Sequence, residues 1–323
     1  MKCVLITGGA GYIGSHTAYA FLDAGYKVVI VDDLSTGYKR VVPQEATWIE
    51  GNVGDIEFMK GVFKKHAVDC VLHFAGSIIV PESVEKPLKY YENNTVVSCR
   101  LLQACVESGI QRFIFSSSAS VYGNNPKGTM EETDRPAPEN PYAASKWMTE
   151  QMIHDVARAH GLHYVILRYF NVAGADPKGR TGLISKQSTH LIKLAGEVAL
   201  GKRDTLSIFG TDYETRDGTC IRDFIHVSDL ADVHLCAYKY MKTHCSATFN
   251  CGYGQGTSVF EVVAALESLL GRSLKKVLSG RRAGDPVCLI ANADRLRKAT
   301  GWTPKFDTLT TILETALSWE KKL

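Results

Sequence analysis

The chain has 323 residues, 45% of them hydrophobic, enough to bury a large core in one or two domains. Charged residues make up 22% and the formal net charge is only +3, which argues against a polyanion-binding surface and so against nucleic acid as a partner. No apolar run approaches the roughly 18 residues that cross a bilayer, and the nine cysteines, odd in number and without a C-x-x-C, read as reduced thiols of a cytoplasmic protein.

Residues 2–7 are an apolar strand that runs straight into Gly8-Gly9-Ala10-Gly11-Tyr12-Ile13-Gly14, so the N-terminus reads as a first strand and not a signal peptide. The helix that follows, Tyr12 to Ala24, stops at Gly25, and Lys27–Val31 is a second buried strand closed by Asp32-Asp33. This βαβ unit carries both G-x-G-x-x-G (Gly9, Gly11, Gly14) and G-x-x-G-x-x-G (Gly8, Gly11, Gly14). Glycines there allow a tight turn and bring a pyrophosphate close to a helix N-terminus, whose dipole favours anions. Asp32 stands at the strand end, where a carboxylate accepts both ribose hydroxyls and repels a 2′-phosphate. The expected cofactor is therefore NAD in preference to NADP.

The alternation continues through strand Thr47–Glu50, helix Ile56–His66, strand Cys70–Gly76, a long helix over Pro87–Ser108, and the Arg112–Ser118 strand ending in hydroxyls. Strands alternating with helices predict an α/β fold, a Rossmann-type doubly wound parallel sheet. Pro141-Tyr142-Ala143-Ala144-Ser145-Lys146 opens the next helix, with Pro in its first turn and Gly161 at its end. Tyr142 and Lys146 are i and i+4 and share a face. A phenol of pKa about 10 is hardly ionised at neutral pH, and a neighbouring ammonium favours the phenolate. The pair is thus a candidate for exchanging a proton with a sugar or alcohol hydroxyl. Tyr238 and Lys242 have the same spacing on what reads as an ordinary amphipathic helix. The strand end at Ser116-Ser117-Ser118 favours Tyr142, because open α/β sheets build their sites at strand ends.

Strand His163–Tyr169 follows, and periodicity degrades after Phe170. Helices are predicted over His190–Leu200, Asp229–Tyr240, Val259–Leu270 and Leu309–Lys322, the third opened by a Ser258/Glu261 capping box. The division expected is a cofactor domain over 1–175, with a returning segment near 218–252, and a smaller C-terminal α/β substrate domain over 176–323.

With these signatures placed, the chain resembles the extended short-chain dehydrogenase/reductases and, within them, the UDP-hexose 4-epimerases. The likeness runs nearly end to end, through Thr7–His16, His73-Phe74-Ala75-Gly76, Ser116–Gly123, Pro141-Tyr142-x-x-Ser145-Lys146, Leu167–Asn171, Gly218–Val227 and Arg281-Arg282-Ala283-Gly284-Asp285. The glycine and Y-x-x-x-K motifs mark the superfamily only, whereas the strings around Arg222 and Arg282 are more specific to nucleotide-sugar epimerases.

The resemblance implies that Tyr142 is the acid/base, Lys146 its partner and Ser118 the hydroxyl that shares the substrate's 4-OH proton. It implies cofactor contacts at Gly8, Gly11, Tyr12, Ile13, Gly14, Asp32, Asp33, Leu34, Ser35, Thr36, Gly37, Asn52, Val53, Phe74, Ala75, Gly76, Asn93, Ser116, Tyr169 and Phe170, besides Tyr142 and Lys146. Asn171, His190, Leu191, Arg222, Arg282, Asp285 and Leu289 match substrate positions, the arginines suiting a diphosphate. The activity implied is reversible inversion at carbon 4 of UDP-glucose and UDP-galactose through a 4-keto sugar, with NAD retained. N-acetylhexosamine or pentose nucleotides are alternative substrates, and a non-catalytic nucleotide-sugar-binding protein is an alternative of another class. A homodimer through the two long helices is implied as well, and no metal.

Residue by residue, plainer readings stand beside these. Tyr12 and Phe170 are equally consistent with packing aromatics. Arg222 beside Asp223 reads also as a surface ion pair, Arg281-Arg282 as a solvated basic face, and His16, His73 and His226 as core or capping residues. The chain departs from the family pattern at three positions: Asn52 replaces an Asp common at the adenine contact, Ile78 stands where some bacterial members carry Lys, and Leu289 stands where some members carry Tyr and others a small residue.

Overall fold

The computed structural model describes residues 2–185, 188–244, 246–282 and 285–323. Strand β1 (Cys3–Thr7), buried at every position, feeds the glycine turn and α1 (Tyr12–Asp23). Then come β2 (Lys27–Asp32), β3 (Thr47–Glu50), α2 (Ile56–His66) and β4 (Val68–His73). Asp55 starts α2 by accepting the Phe58 N–H at 3.0 Å, one of the donors a helix start leaves open.

The helix predicted over Pro87–Ser108 is interrupted. After a short α3 (Val80–Glu85), α4 (Pro87–Tyr90) and α5 (Val97–Glu107) are joined by a π-helical turn, Tyr91–Val96. Such a turn displaces backbone carbonyls from the regular ladder. Here the Asn94 carbonyl receives the Ser98 hydroxyl and, at 3.3 Å, the Thr149 hydroxyl. The chain continues through β5 (Arg112–Ser118), β6 (Thr129–Met130), the 20-residue α6 (Pro141–His160) and β7 (His163–Tyr169). Asn140 caps α6 through the Ala143 N–H at 2.9 Å, and Gly161 closes it in the left-handed conformation.

The remainder comprises β8 (Asn171–Ala173), α7 (Leu191–Ala199), β9 (Leu206–Phe209), β10 (Ile221–His226), α8 (Val227–Tyr240), β11 (Ala247–Cys251), β12 (Gly256–Ser258), α9 (Val259–Leu270), β13 (Lys276–Ser279), β14 (Cys288–Ala291), α10 (Asp294–Thr300) and α11 (Leu309–Glu320). The Ser258/Glu261 capping box is present on α9. Helix α10 and the strands of three to six residues in this half carry too few side chains to show a period.

Seven strands form the large sheet in the order β11-β7-β5-β4-β1-β2-β3, every neighbouring pair parallel. Separate apolar layers cover its faces, one including Phe21 of α1 and Val233 of α8, the other including Phe63 of α2, Leu101 of α5 and Ile153 of α6. The sheet is doubly wound, a Rossmann-type α/β fold. The strand order reverses between β1 and β4, and the crevice of such a sheet lies outside the carboxyl ends of its strands at that reversal. A five-stranded sheet, β12-β10-β14-β6 with β8 on β10, stands beside it, and β9 pairs with β13. Residues 247–251, far along the chain, supply the edge strand of the large sheet next to β7.

Candidate active site

The carboxyl end of β1 turns through a backbone shaped for a close approach. Gly8 has φ +70°, and a Cβ on it would stand 2.6 Å from the Ala75 nitrogen; a Cβ on Gly14 would stand 2.3 Å from the Gly8 carbonyl oxygen. The Gly11 cap of α1 offers no side chain to the helix start and the first turn holds no acid, so the N–H groups of Tyr12 and Ile13 face outward for an anion. Asp32 is 8% exposed; it accepts the Ala10 N–H at 3.0 Å and the Leu34 N–H at 2.9 Å, leaving lone pairs on both oxygens for hydroxyl donors. Burial pushes this carboxyl up, while those two amide bonds pull it down. Asp33, Ser35 and Thr36 lie exposed beyond it, Ser35 N–H bonded to Asp33, and Gly37 backs onto Ala10. This is a cradle that a dinucleotide fits.

Other positions fall around the same crevice. Asn52 closes an Asx turn onto the Gly54 N–H at 2.7 Å, and Val53 sits in the core under α2. Phe74, Ala75 and Gly76 follow β4, with the Phe74 and Ala75 N–H groups both directed at Thr7 Oγ1. Asn93 donates to the Ser77 hydroxyl at 2.9 Å. Tyr12 gives its hydroxyl to the Gly174 carbonyl at 2.6 Å, so its side chain packs and hydrogen-bonds within the protein.

At the end of β5 the candidate reacting groups converge. The Tyr142 phenol lies beside Ser118, and Lys146, 4% exposed, donates from Nζ to the Ser116 carbonyl at 2.8 Å and lies 5.0 Å from the Phe115 ring centre. The expected depression of the phenol is not what this arrangement gives: burial holds Tyr142 above its ordinary value, and Ser118 pulls it back. Burial also drops Lys146 to about 8, with Glu150 opposing the drop. The i, i+4 spacing places both groups on one face, yet the ammonium turns to a backbone carbonyl. By contrast Tyr238 is fully buried, bonded to Asp69 at 2.7 Å and stacked edge-on against Phe21 and Tyr26, an ordinary core residue.

Two features behind these groups have no signature in the sequence. The Asn94 amide accepts the Ser77 N–H at 2.7 Å and donates to the Ser77 carbonyl and to the Ser145 hydroxyl, both at 3.0 Å, and Ser145 in turn reaches the Tyr142 carbonyl at 2.7 Å. The loop after β4 is thereby tied to the first turn of α6. His73 lies in a buried chain beneath, 2.8 Å from both Thr7 Oγ1 and Ser98 Oγ, its pKa lowered to about 3 by burial and by Lys146. Since Thr7 Oγ1 accepts two amides, its proton goes to Nδ1, and Nε2–H donates to Ser98. His226 caps α8, accepting the Ser228 N–H, and His16 is a buried helix residue, so all three histidines occupy core or capping positions.

The second sheet brings the remaining positions near. Tyr169 hydrogen-bonds His234 at 2.5 Å; Phe170 shares an apolar cluster with Leu289, Ala119, Val121 and Tyr122. Arg222 and Leu289 are register partners across β10 and β14, Asn171 pairs with Phe224, and Arg222 lies 3.8 Å from Asp285. Asp223 is fully buried and accepts three backbone N–H groups, from Tyr253, Gly254 and Ala291, so it forms no surface pair with Arg222. Arg282 lies over the Phe209 ring at 4.3 Å, while exposed Arg281 is bonded to Asp212. Ala283 and Gly284 of that string lie outside the described residues. His190 and Leu191 open α7, where His190, Tyr12 and Gly174 line one small cavity.

Comparison with known proteins decides the family. The sequence profile of the NAD dependent epimerase/dehydratase family matches residues 4–252. The chain belongs to this family. It is 54% identical to the UDP-glucose 4-epimerase of Azospirillum brasilense over 99% of this chain and 92% of that one. The crystal structure of UDP-glucose 4-epimerase from Brucella ovis in complex with NAD superimposes with a TM-score of 0.95, at 42% identity and 98% coverage of each chain. The UDP-Glc/GlcNAc 4-epimerase of Campylobacter jejuni gives a TM-score of 0.88 at 45% identity, each chain covered in full.

Proposed function

We propose that this chain is an isomerase that interconverts UDP-glucose and UDP-galactose by reversible inversion at carbon 4. The observation that carries the reading is that Tyr142, Ser118 and the buried Lys146 ammonium, which donates to the Ser116 carbonyl, come together at the carboxyl end of β5 next to the dinucleotide cradle. Bound NAD supplies the acceptor, and then the donor, of the carbon-4 hydride.

The chain's own residues do the rest. Tyr142, through Ser118, takes the 4-OH proton as the carbonyl forms and gives it back once the sugar has turned over. A phenol held above its ordinary value rests protonated, and the positive charge of Lys146 favours the phenolate that the outward step needs. The cradle at Gly8–Gly14 holds the cofactor pyrophosphate, and Asp32 its ribose hydroxyls. Phe74 and Phe170 are further cofactor contacts in this reading. Arg222, Arg282, Asn171 and the start of α7 grip the UDP, so the sugar rotates without escaping and most affinity comes from the nucleotide. Ala119, buried at 2% exposure directly after Ser118, leaves no acid for elimination chemistry of the dehydratase kind.

A cytoplasmic enzyme fits the free thiols of the eight described cysteines and the lack of any described helix long and apolar enough to cross a membrane. A homodimer through α5 and α6 belongs to the same reading; Met148, 44% exposed on α6, is an apolar group such a contact would cover. So does the division into a cofactor domain and a smaller C-terminal UDP-sugar domain. The test is a panel of UDP-sugars with products identified by NMR. Conversion of UDP-glucose to UDP-galactose with no net NADH release is expected; release of a keto or deoxy product, or binding with no turnover, overturns the reading.

A further inference from the structure

Behind the reacting groups lies a charged pair that takes no part in the steps above. Glu150, on α6 one turn beyond Lys146, has a fully buried side chain, and Arg168 of β7 is 4% exposed. They meet in a two-pronged bond, Nε to Oε1 at 3.1 Å and Nη2 to Oε2 at 2.7 Å. Oε1 also takes the hydroxyl of Ser117 at 2.5 Å. Ser117 is the middle residue of the serine run: its neighbour on one side gives Lys146 its carbonyl, and its neighbour on the other meets Tyr142. Arg168 extends the network, donating to the Tyr122 hydroxyl at 2.9 Å, which donates to Asn250 at 2.7 Å, which holds the Met130 carbonyl of β6 at 2.9 Å. Strand β6 pairs with β14, the strand that bears Leu289.

We propose that Glu150 is a positioning residue for proton transfer: through Ser117 it sets the strand end that grips both Lys146 and Tyr142, and its charge offsets the buried ammonium of Lys146. This rests on reading Tyr142, Lys146 and Ser118 as the reacting centre. The charged and titratable groups around Lys146 are few. Glu150 and Tyr142 come from α6 and neutral His73 from β4, with Arg168 of β7 behind Glu150. Glu150 is the one that favours the ammonium. A buried pair of this kind is costly to break by halves and cheap to replace whole, so a contribution to stability does not by itself account for it.

The experiment compares Glu150→Gln, Arg168→Met and the double variant by kcat against pH, by KM, and by thermal unfolding of the NAD-loaded protein, with Lys146→Ala alongside. Displacing the strand end is expected to lower kcat by about ten- to a hundredfold with little change in KM. The two single variants should move the alkaline limb of the profile in opposite directions. Glu150→Gln removes the charge that retains the Lys146 proton and shifts the limb down; Arg168→Met leaves Glu150 unopposed and shifts it up. If either single variant fails to fold, the double variant, which leaves neither member of the pair without the other, is expected to recover thermal stability but keep a reduced kcat and a lowered limb. Limbs that coincide with wild type, or a double variant with wild-type kcat, make the pair a plain structural bridge and overturn the proposal. A Lys146→Ala enzyme with unchanged turnover would instead overturn the reading of the centre itself.

Discussion

Lys146 Nζ donates to the Ser116 carbonyl at 2.8 Å, two residues before the hydroxyl that meets Tyr142, so one strand end holds both members of the Y-x-x-x-K pair. Their common support makes each sensitive to the other's neighbours, and the expectations below turn on that.

Tyr142→Phe removes the proton acceptor and leaves the cradle intact. Turnover should fall by about 10²–10⁴-fold, the usual cost of losing an acid/base group, with NAD still bound. Tyr238→Phe has the opposite profile: activity is kept, while the loss of the buried bond to Asp69 lowers stability by about 1–3 kcal/mol. Initial rates and thermal unfolding of the two variants decide; wild-type rates in Tyr142→Phe would sink the assignment.

Burial lowers Lys146 to about 8, well under the free amine's value of about 10.4. Below about pH 8 the folded protein therefore carries the full cost of the buried ammonium. Between that value and about 10.4 the unfolded chain binds more protons than the folded one, so the cost is relieved as pH rises. Lys146→Met lacks this cost. The stability of Lys146→Met minus that of wild type should accordingly shrink from pH 7 to pH 10, measured by denaturant titration. A difference that does not vary with pH would contradict the burial effect.

Asp32 is expected to govern the choice of dinucleotide. The wild type should bind NAD far better than NADP, and Asp32→Ala should weaken NAD and narrow the gap. Because Asp32 also holds the Ala10 and Leu34 amides, the variant should lose about 1–3 kcal/mol of stability through two unpaired donors. Titration of both cofactors into stripped protein checks this, and equal wild-type affinities would refute it.

Leu289 sits 7% exposed against Phe170 and the Ala119–Tyr122 turn, opposite Arg222. UDP-glucose and UDP-galactose should be preferred, with slower turnover of their N-acetylated counterparts. Leu289→Tyr should suppress the acetylated pair selectively and Leu289→Ser should raise it, because in the proposed mechanism the keto sugar sweeps its carbon-2 substituent through this space. Rates that keep their ratio in both variants would move the control of breadth elsewhere.

The parts of this protein legible in the sequence are those whose causes are local. A buried strand, three glycines, a helix and a strand-end acid within about thirty residues determine a dinucleotide cradle, since turn geometry, the helix dipole and one carboxylate act over a few ångströms of contiguous chain. Helical spacing likewise put Tyr142 and Lys146 on one face, and Ser258 with Glu261 on one helix start. Tertiary structure alone decided what those groups experience. Tyr142 is raised and not lowered, because desolvation comes from the whole crevice and the Lys146 ammonium turns to a strand carbonyl. The π turn at Tyr91–Val96 exists where Ser98 and Thr149 take a carbonyl, and no period announces it. Asn94 with Ser145, and Glu150 with Arg168, stand 51 and 18 residues apart and meet only when the helices dock on the sheet. Strands such as β6 and β8 are too short to carry a pattern and form because a partner is already in place. Spacing along the chain tells which side chains share a face; only the fold determines which buried charges and hydrogen-bonding groups they face.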